Sequence, residues 1–351
     1  MNKLTKVGCS ALCGSLAAIS SVNAGDLSVT GGADLTWFSH GEATTGNPVG
    51  MASAVTFKGS GELDNGWTFN LTIAEGDASA YSATTIDMTM GGLGTIEFDQ
   101  GNSGNGIAAY DNVMPTAWEE AHGAGLSGGV KTVFGASQSN NVQYTTPTLA
   151  GTTIALTYAR EAGTTDEADK VATAGEDSRD SAYDITFKIN PSLGTEIMSG
   201  LNFYLGASTI EGNKNGTQED DAHEAVIAMT YALGPVDVGA MWSGLYDGQE
   251  DVSAGYHTYK NHAFGIAFNV NDDLSVSYGQ YESRKAGIAH TDQTNGAGAE
   301  GFNVSAKVTS WQAAYTMGGA SVRIADVKAD NVSFLHGDDQ TATIVSMSLA
   351  F

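Results

Sequence analysis

An all-β fold, a sixteen-stranded antiparallel β-barrel that crosses a membrane, follows from three features of this sequence. Apolar and polar side chains alternate with a period of two, the connections are alternately short and long, and aromatic residues sit at the ends of the alternating segments. Leu27, Val29, Ala33, Leu35 and Trp37 share one face, and Ser28, Thr30, Asp34 and Thr36 the other. Trp67, Phe69, Leu71 and Ile73 alternate with Thr68, Asn70 and Thr72; Tyr183, Ile185, Phe187 and Ile189 alternate with Asp184, Thr186 and Lys188. This period over roughly ten residues is that of a strand, long enough to cross a bilayer when tilted.

In chain order the segments fall near 26–37, 51–63, 67–74, 84–90, 95–99, 140–146, 152–159, 181–190, 201–209, 222–232, 236–242, 256–270, 274–281, 302–317, 320–327 and 340–351. Tight turns such as Asp64-Asn65-Gly66, Leu233-Gly234-Pro235 and Gly318-Gly319 separate some of them, with a somewhat longer link at 190–200. Polar, acidic stretches at 38–50, 75–83, 99–139, 160–180, 210–221, 243–255, 282–301 and 328–339 separate the others. Short and long in turn is the rhythm of an up-and-down barrel, and an even strand count puts both ends of the barrel domain on the short-turn side. Segments running toward the long loops end on Trp37, Tyr158, Trp242 and Tyr278, and the returning ones on Tyr231, Phe268, Tyr315 and Phe351. Amphipathic rings are most stable where hydrocarbon meets headgroup, so these residues form two girdles. A soluble β-sandwich would place its aromatics at mid-strand. The last residues, Val345, Met347, Leu349 and Phe351, alternate to the terminus and form the lipid-facing side of the closing strand, whereas Phe334 falls in an outer loop.

The first 24 residues read as a cleaved signal peptide: Lys3 and Lys6, an apolar run from Val7 to Ile19, then Val22-Asn23-Ala24. The barrel domain is 25–351. Cys9 and Cys13 leave with the signal, which excludes disulfide scaffolds and thiol chemistry from the exported chain. The same cleavage takes the cations from 15 to 13 against 40 acids, a formal charge of −27. That balance excludes nucleic acid as a partner, because binding it requires cations against phosphates. Forty-five glycines against five prolines suit close strands and tight turns.

Gly92-Leu93-Gly94-Thr95 with Ile96 and Phe98, the stretch NNVQYTTPTLAG at 140–151, and the terminal Met347, Leu349 and Phe351 together resemble the general porins of Gram-negative outer membranes. The resemblance covers residues 25–351. It implies a homotrimer of barrels in outer-membrane lipid and lipopolysaccharide, each with a long loop folded into its lumen as a constriction. Ions and small hydrophilic solutes diffuse through such channels, and the outer-membrane assembly machinery selects them by a terminal signal similar to Phe351, Leu349 and Met347.

The candidate constriction runs from Asp99 to Ser137, with carboxylates Asp99, Asp111, Glu119 and Glu120. Lys58, Lys188, Lys307 and Arg323 lie on the polar faces of their strands and are candidates for a basic wall opposite it, or for wall positions away from the narrow zone. Tyr110 and Trp118 form either a stacking surface for a sugar or packing against the wall. Outer-loop acids, Glu161, Asp166, Glu167, Asp169, Glu176 and Asp177 in one group and Glu219, Asp220 and Asp221 in another, make a solvated acidic face or Ca²⁺ or Mg²⁺ ligands. No cofactor motif, HExxH pair or GxSxG elbow appears, so no enzyme is expected. A cation-preferring diffusion channel is the favoured function. A solute-specific porin and a secreted β-rich surface or adhesion protein are the alternatives.

Overall fold

A computed structural model describes residues 25–41, 47–76, 79–100, 104–160, 179–191, 196–212, 220–248, 258–286 and 304–351. The expected signal peptide and the acids from Glu161 to Asp177, with Glu219, lie outside the described residues. Sixteen strands form one closed antiparallel barrel. They are β1 (Leu27–His40), β2 (Val49–Glu62), β3 (Thr68–Gly76), β4 (Ser79–Thr89), β5 (Thr95–Asp99), β6 (Asn141–Thr145), β7 (Thr152–Ala159) and β8 (Ala182–Ile189), followed by β9 (Leu201–Ile210), β10 (Ala222–Leu233), β11 (Val236–Tyr246), β12 (Thr258–Asn269), β13 (Leu274–Ala286), β14 (Ser305–Met317), β15 (Ala320–Asp330) and β16 (Gln340–Ala350). The one α-helical turn among the described residues, Glu196–Ser199, lies in the longer of the tight links. No described helix is long and apolar enough to cross a membrane; the strands make the crossing.

Each strand pairs with its sequence neighbours, and β16 closes onto β1. Phe351 continues that closure: its N–H donates to Gly31 O at 2.9 Å and its carbonyl accepts from Gly31 N at 3.1 Å. Its ring lies over Gly31, where a Cβ would come within 2.7 Å of Cζ. Closure removes every sheet edge, as hydrocarbon demands, because an unpaired backbone group there costs several kcal/mol.

The alternating residues sort onto two faces. Leu35, Trp37, Met51, Phe57, Ile86, Leu156, Ile227, Met229, Trp242, Phe264, Trp311, Ile324, Met347 and Leu349 are exposed on the outside, although large and apolar. A folded chain exposes such a continuous belt only where something other than water covers it. Trp37, Tyr158 and Trp242 mark its long-loop edge and Phe268, Tyr315 and Phe351 the other, all exposed, as the girdle pattern predicts. The core lies inside, between the inner wall and the long segment joining β5 to β6.

Candidate functional site: a loop seated inside the barrel

The segment between Asp99 and Asn141 turns inward and crosses the lumen. It begins at Asn105, whose Nδ2 donates to Glu97 Oε1 at 3.0 Å and Asn141 Oδ1 at 3.1 Å. Two wall carboxylates then hold both ends of the loop. Asp184 on β8 accepts from Ile107 N at 3.0 Å and from Ala136 N at 3.1 Å through Oδ2. Glu224 on β10 accepts from Phe134 N and Gly135 N, both at 2.9 Å, through Oε2. The chain can approach Asp184 so closely because Gly106 (φ +63°) and Gly135 (φ +51°) face it. A Cβ on either would come within 2.0 and 2.3 Å of Asp184 Oδ2. Both positions also need the left-handed backbone that glycine adopts without strain.

Beyond this latch the loop lies in a trough of glycines. Gly239, Gly265 and Gly279 stand directly opposite one another on β11, β12 and β13, all pointing inward. A Cβ at Gly239 would reach within 2.6 Å of Pro115 Cδ, and one at Gly265 within 2.6 Å of Pro115 O. Next along, Gln312 on β14 satisfies a bend of the loop backbone. Its Oε1 accepts from Trp118 N at 3.1 Å and Glu119 N at 3.0 Å, and its Nε2 donates to Glu119 O at 2.6 Å. Ala117 N donates to Ser277 Oγ at 2.8 Å. On the return limb Tyr281 Oη donates to Lys131 O at 2.9 Å, and Ser333 N, from the last outer loop, donates to Gly128 O at 2.9 Å. Ile107, Val133, Met241 and Tyr281 are at most 2% exposed in the apolar cluster so formed. Phe334, in the last outer loop as expected, is buried in that cluster against Tyr259.

The predicted site residues separate into groups. Glu119 is exposed to the lumen, and Asp111 and Glu120 lie partly buried within the loop. Asp99 is 4% exposed at the end of β5, where Asn141 Nδ2 donates to it at 3.0 Å, so it belongs to the loop's root. Lys58, Lys188 and Arg323 point into the lumen. Lys307 does not. On β14 the inward residues are Ala306, Val308, Ser310, Gln312 and Ala314, and Lys307 stands with Trp311 on the outer face. The expectation failed because the inner wall is apolar where the loop packs against it, which inverts the polarity pattern of the upper half of β14. Tyr110 is 8% exposed, edge-on to Tyr204 at 5.2 Å, and offers no stacking face. Trp118 is partly buried, with the Arg323 guanidinium 5.0 Å from its ring centroid.

Below the loop, toward the short turns, lies a cavity of about 850 Å³. Lys188, Arg323, Glu119 and Asp237 are its charged lining, with Asn202, Thr230 and Ser348 among its polar groups. Both cations there are engaged. Arg323 Nη2 donates to Asp34 Oδ1 at 2.6 Å and Ser346 Oγ at 2.9 Å, and Lys188 Nζ lies 5.8 Å from the Tyr204 ring centroid. In the loop itself burial sets the protonation. It pushes Asp111 up to about 6 and Glu120 up to about 7, raises Glu119 less because Arg323 opposes the shift, and lowers His122 to about 4. His122 Nδ1 is buried without a partner, its ring 4.6 Å from that of Tyr281.

Sequence reasoning missed Asp184, Glu224 and Gln312, which hold the loop. Their partners are 77, 89 and 193 residues away for the bonds from Ile107, Gly135 and Glu119, so no local pattern signals them. At the outer rim Arg179 donates to the carbonyls of Asp220 and Asp247, beside Asp221. No group of three or more metal-ligating side chains occurs among the described residues.

Comparison by sequence with curated proteins finds no match. By fold the barrel resembles the anion-selective porin from Comamonas acidovorans, with a TM-score of 0.64 at 13% identity over 93% of this chain and 99% of that one. Salmonella typhi OmpF in complex with daunomycin superposes with a TM-score of 0.65 at 12% identity, covering 93% and 98%. Vibrio cholerae OmpT gives 0.63 at 9% identity, covering 96% and 100%. At such identities the likeness is one of fold. The pattern of the Gram-negative porins, in contrast, matches the sequence itself over residues 9–319. A closed sixteen-stranded barrel with an apolar outer belt and a loop folded within it agrees with that match: the chain belongs to the Gram-negative porin family and forms a channel of the outer membrane.

Proposed function

We propose that this channel passes ions and small hydrophilic solutes by passive diffusion and prefers cations. The observation that carries the preference is the imbalance at the cavity beneath the loop. Glu119, Asp237 and Asp34 set three carboxylates against the two cations there, Lys188 and Arg323, and Arg323 is ion-paired with Asp34. The chain as a whole carries a formal charge of −25, so the field at the mouth concentrates cations and repels anions. The burial of Tyr110 favours general over solute-specific permeation, because it removes half of the expected stacking surface. The test is the zero-current potential of purified protein across a KCl gradient; anion selectivity would overturn the preference. It should fade with rising salt, as screening shortens the reach of the charges to about 8–10 Å near physiological strength.

Other parts of this reading are a signal peptide cleaved before Gly25, insertion signalled by Phe351, Leu349 and Met347, a lipopolysaccharide environment, divalent cations at the outer acids and a homotrimer. The trimer draws support from β5 and β6, which have five residues each. Five residues reach only about 17 Å, short of a lipid-facing band about 25 Å tall. A neighbouring barrel would cover that part of the wall. Conductance appearing in steps of three is the expected result, and intact mass decides the cleavage site.

A further inference from the structure

Lys307, displaced from the lumen, belongs to a second arrangement. Every outward-facing Lys or Arg in the described strands lies on four adjacent ones: Lys260 on β12, Arg284 on β13, Lys307 on β14 and Lys328 on β15. Each is the third residue from the long-loop end of its strand. In a chain with 40 acids, this places cations at one height on one side of the barrel. Lys328 is paired with Asp330 at 2.6 Å, and Lys307 stands between Glu282 and Asp330. Lys260 and Arg284 are different. They are directly opposite each other across β12 and β13, and their other cross-strand neighbours are Gly244 and Ser305. Among the described residues the nearest outward acid is Glu282, two residues before Arg284 on the same face. Like charges directly opposite in an antiparallel pair repel, and an anion between them would turn that repulsion into two charge-assisted bonds. Below them on the same outer face lie Tyr278 and Trp311, rings 4.7 Å apart, with Trp311 66% exposed. Cations above an exposed aromatic pair match the section of a lipid, headgroup over acyl chain.

We propose that Lys260 and Arg284, with Lys307 beside them, form a site on the outer surface of the barrel for a phosphate of a lipid headgroup in the leaflet on the long-loop side. This gives residues to the lipid environment proposed above, but it does not depend on ion selectivity. Lipid retention and zero-current potential are separate measurements, so either reading can fail alone.

The experiment is native mass spectrometry of the detergent-folded protein with diphosphoryl and monophosphoryl lipid A. The wild type should retain the diphosphoryl form better. The double variant Lys260→Gln/Arg284→Gln should retain it about a hundredfold less well, the loss expected for two charge-assisted bonds at the low end of their range. The charge-keeping exchange Lys260→Arg/Arg284→Lys should hold most of the binding. Heat-modifiable migration reports whether each variant folds. Should the double variant not fold, the wild-type preference and the exchange variant still decide. Equal retention of the two lipids by the wild type, or unchanged retention by a folded double variant, would overturn the site. So would displacement of the lipid by millimolar inorganic phosphate, which would identify a free-anion site instead.

Discussion

The inner wall of β11–β14 and that of β2–β4 are built from the same alternation but face different surroundings. On β11–β14 the inward residues include Gly239, Met241, Ala263, Gly265, Gly279, Ala306 and Val308, small or apolar, because the loop's backbone lies against them. On β2–β4 the inward residues include Lys58, Asn70, Thr72 and Asp87, and Lys58 is exposed to the lumen. One barrel thus has two kinds of interior, a packed protein core and a wetted wall. Polarity reports which side of a strand faces lipid only where the interior is wet. Where the interior is filled, an inward Val308 and an outward Lys307 exchange the expected roles.

The sharpest way to break this contrast is to fill the trough. Gly265→Leu would place a side chain where Pro115 lies, and overpacking of this kind costs about 1–3 kcal/mol even where neighbours can adjust. The loop should leave its seat. Single-channel conductance should rise, and trypsin should cut at Lys131, the loop's only cation. A leucine in place of Thr72 on the open wall should do neither. Equal conductance in the two variants would mean that the trough does not hold the loop.

Removing a latch carboxylate should act in the same direction with a smaller effect. Asp184→Ala takes the acceptor from Ile107 N and Ala136 N, leaving two buried donors unsatisfied at about 1–3 kcal/mol each. Asp184→Asn keeps one acceptor oxygen and should be milder. Asp87→Ala on the open wall is the control. Amide exchange at Ile107 and Ala136 is the direct readout; protection as in the wild type would show that Glu224 and the glycine trough suffice.

The residues themselves explain how much of this could be read in advance. All sixteen strands were legible because lipid imposes alternation on each one, and the turns and girdles agree with it. The expected ends of β11 and β13, at 242 and 281, fall short of Tyr246 and Ala286. Above the apolar belt a strand continues into the rim, where Ser243 or Glu282 is as suitable as an apolar residue. The loop was legible as long, and its acids as candidates, of which Glu119 is the exposed one. What it rests on was not. An inward aspartate facing water and one receiving backbone N–H groups, such as Asp184, look alike in sequence, since the donors come from a distant segment. Lys307 was misplaced for the reason given by its neighbours Ala306 and Val308: they are buried, but against the loop rather than in the lipid belt.

The smallest expected effect is also the most specific, a pH dependence that belongs to the loop and not to the wall. Asp111 and Glu120 titrate near 6 and 7 because burial disfavours their charged forms. An acid whose folded pKa is raised carries its charge only above that value. Both are therefore anionic at pH 8 and largely neutral at pH 5, and the cation preference should decline between those limits. His122, held near 4, adds no compensating positive charge over this range. Linkage gives the opposite sign for the loop's own stability. Protonation relieves the cost of burying these charges, so the seat should tighten as pH falls from about 7 toward the ordinary carboxylate range. Glu120→Gln should remove the upper part of the pH response and Asp111→Asn the lower part. Glu119→Gln should instead reduce cation preference at pH 8 while leaving most of the decline between 8 and 5 in place, since Arg323 opposes the effect of burial on its carboxyl and keeps its shift smaller than those of Asp111 and Glu120. Zero-current potentials measured at constant salt from pH 8 to pH 5 separate these outcomes, and a potential that does not change across that range would remove Asp111 and Glu120 from the selectivity of the channel.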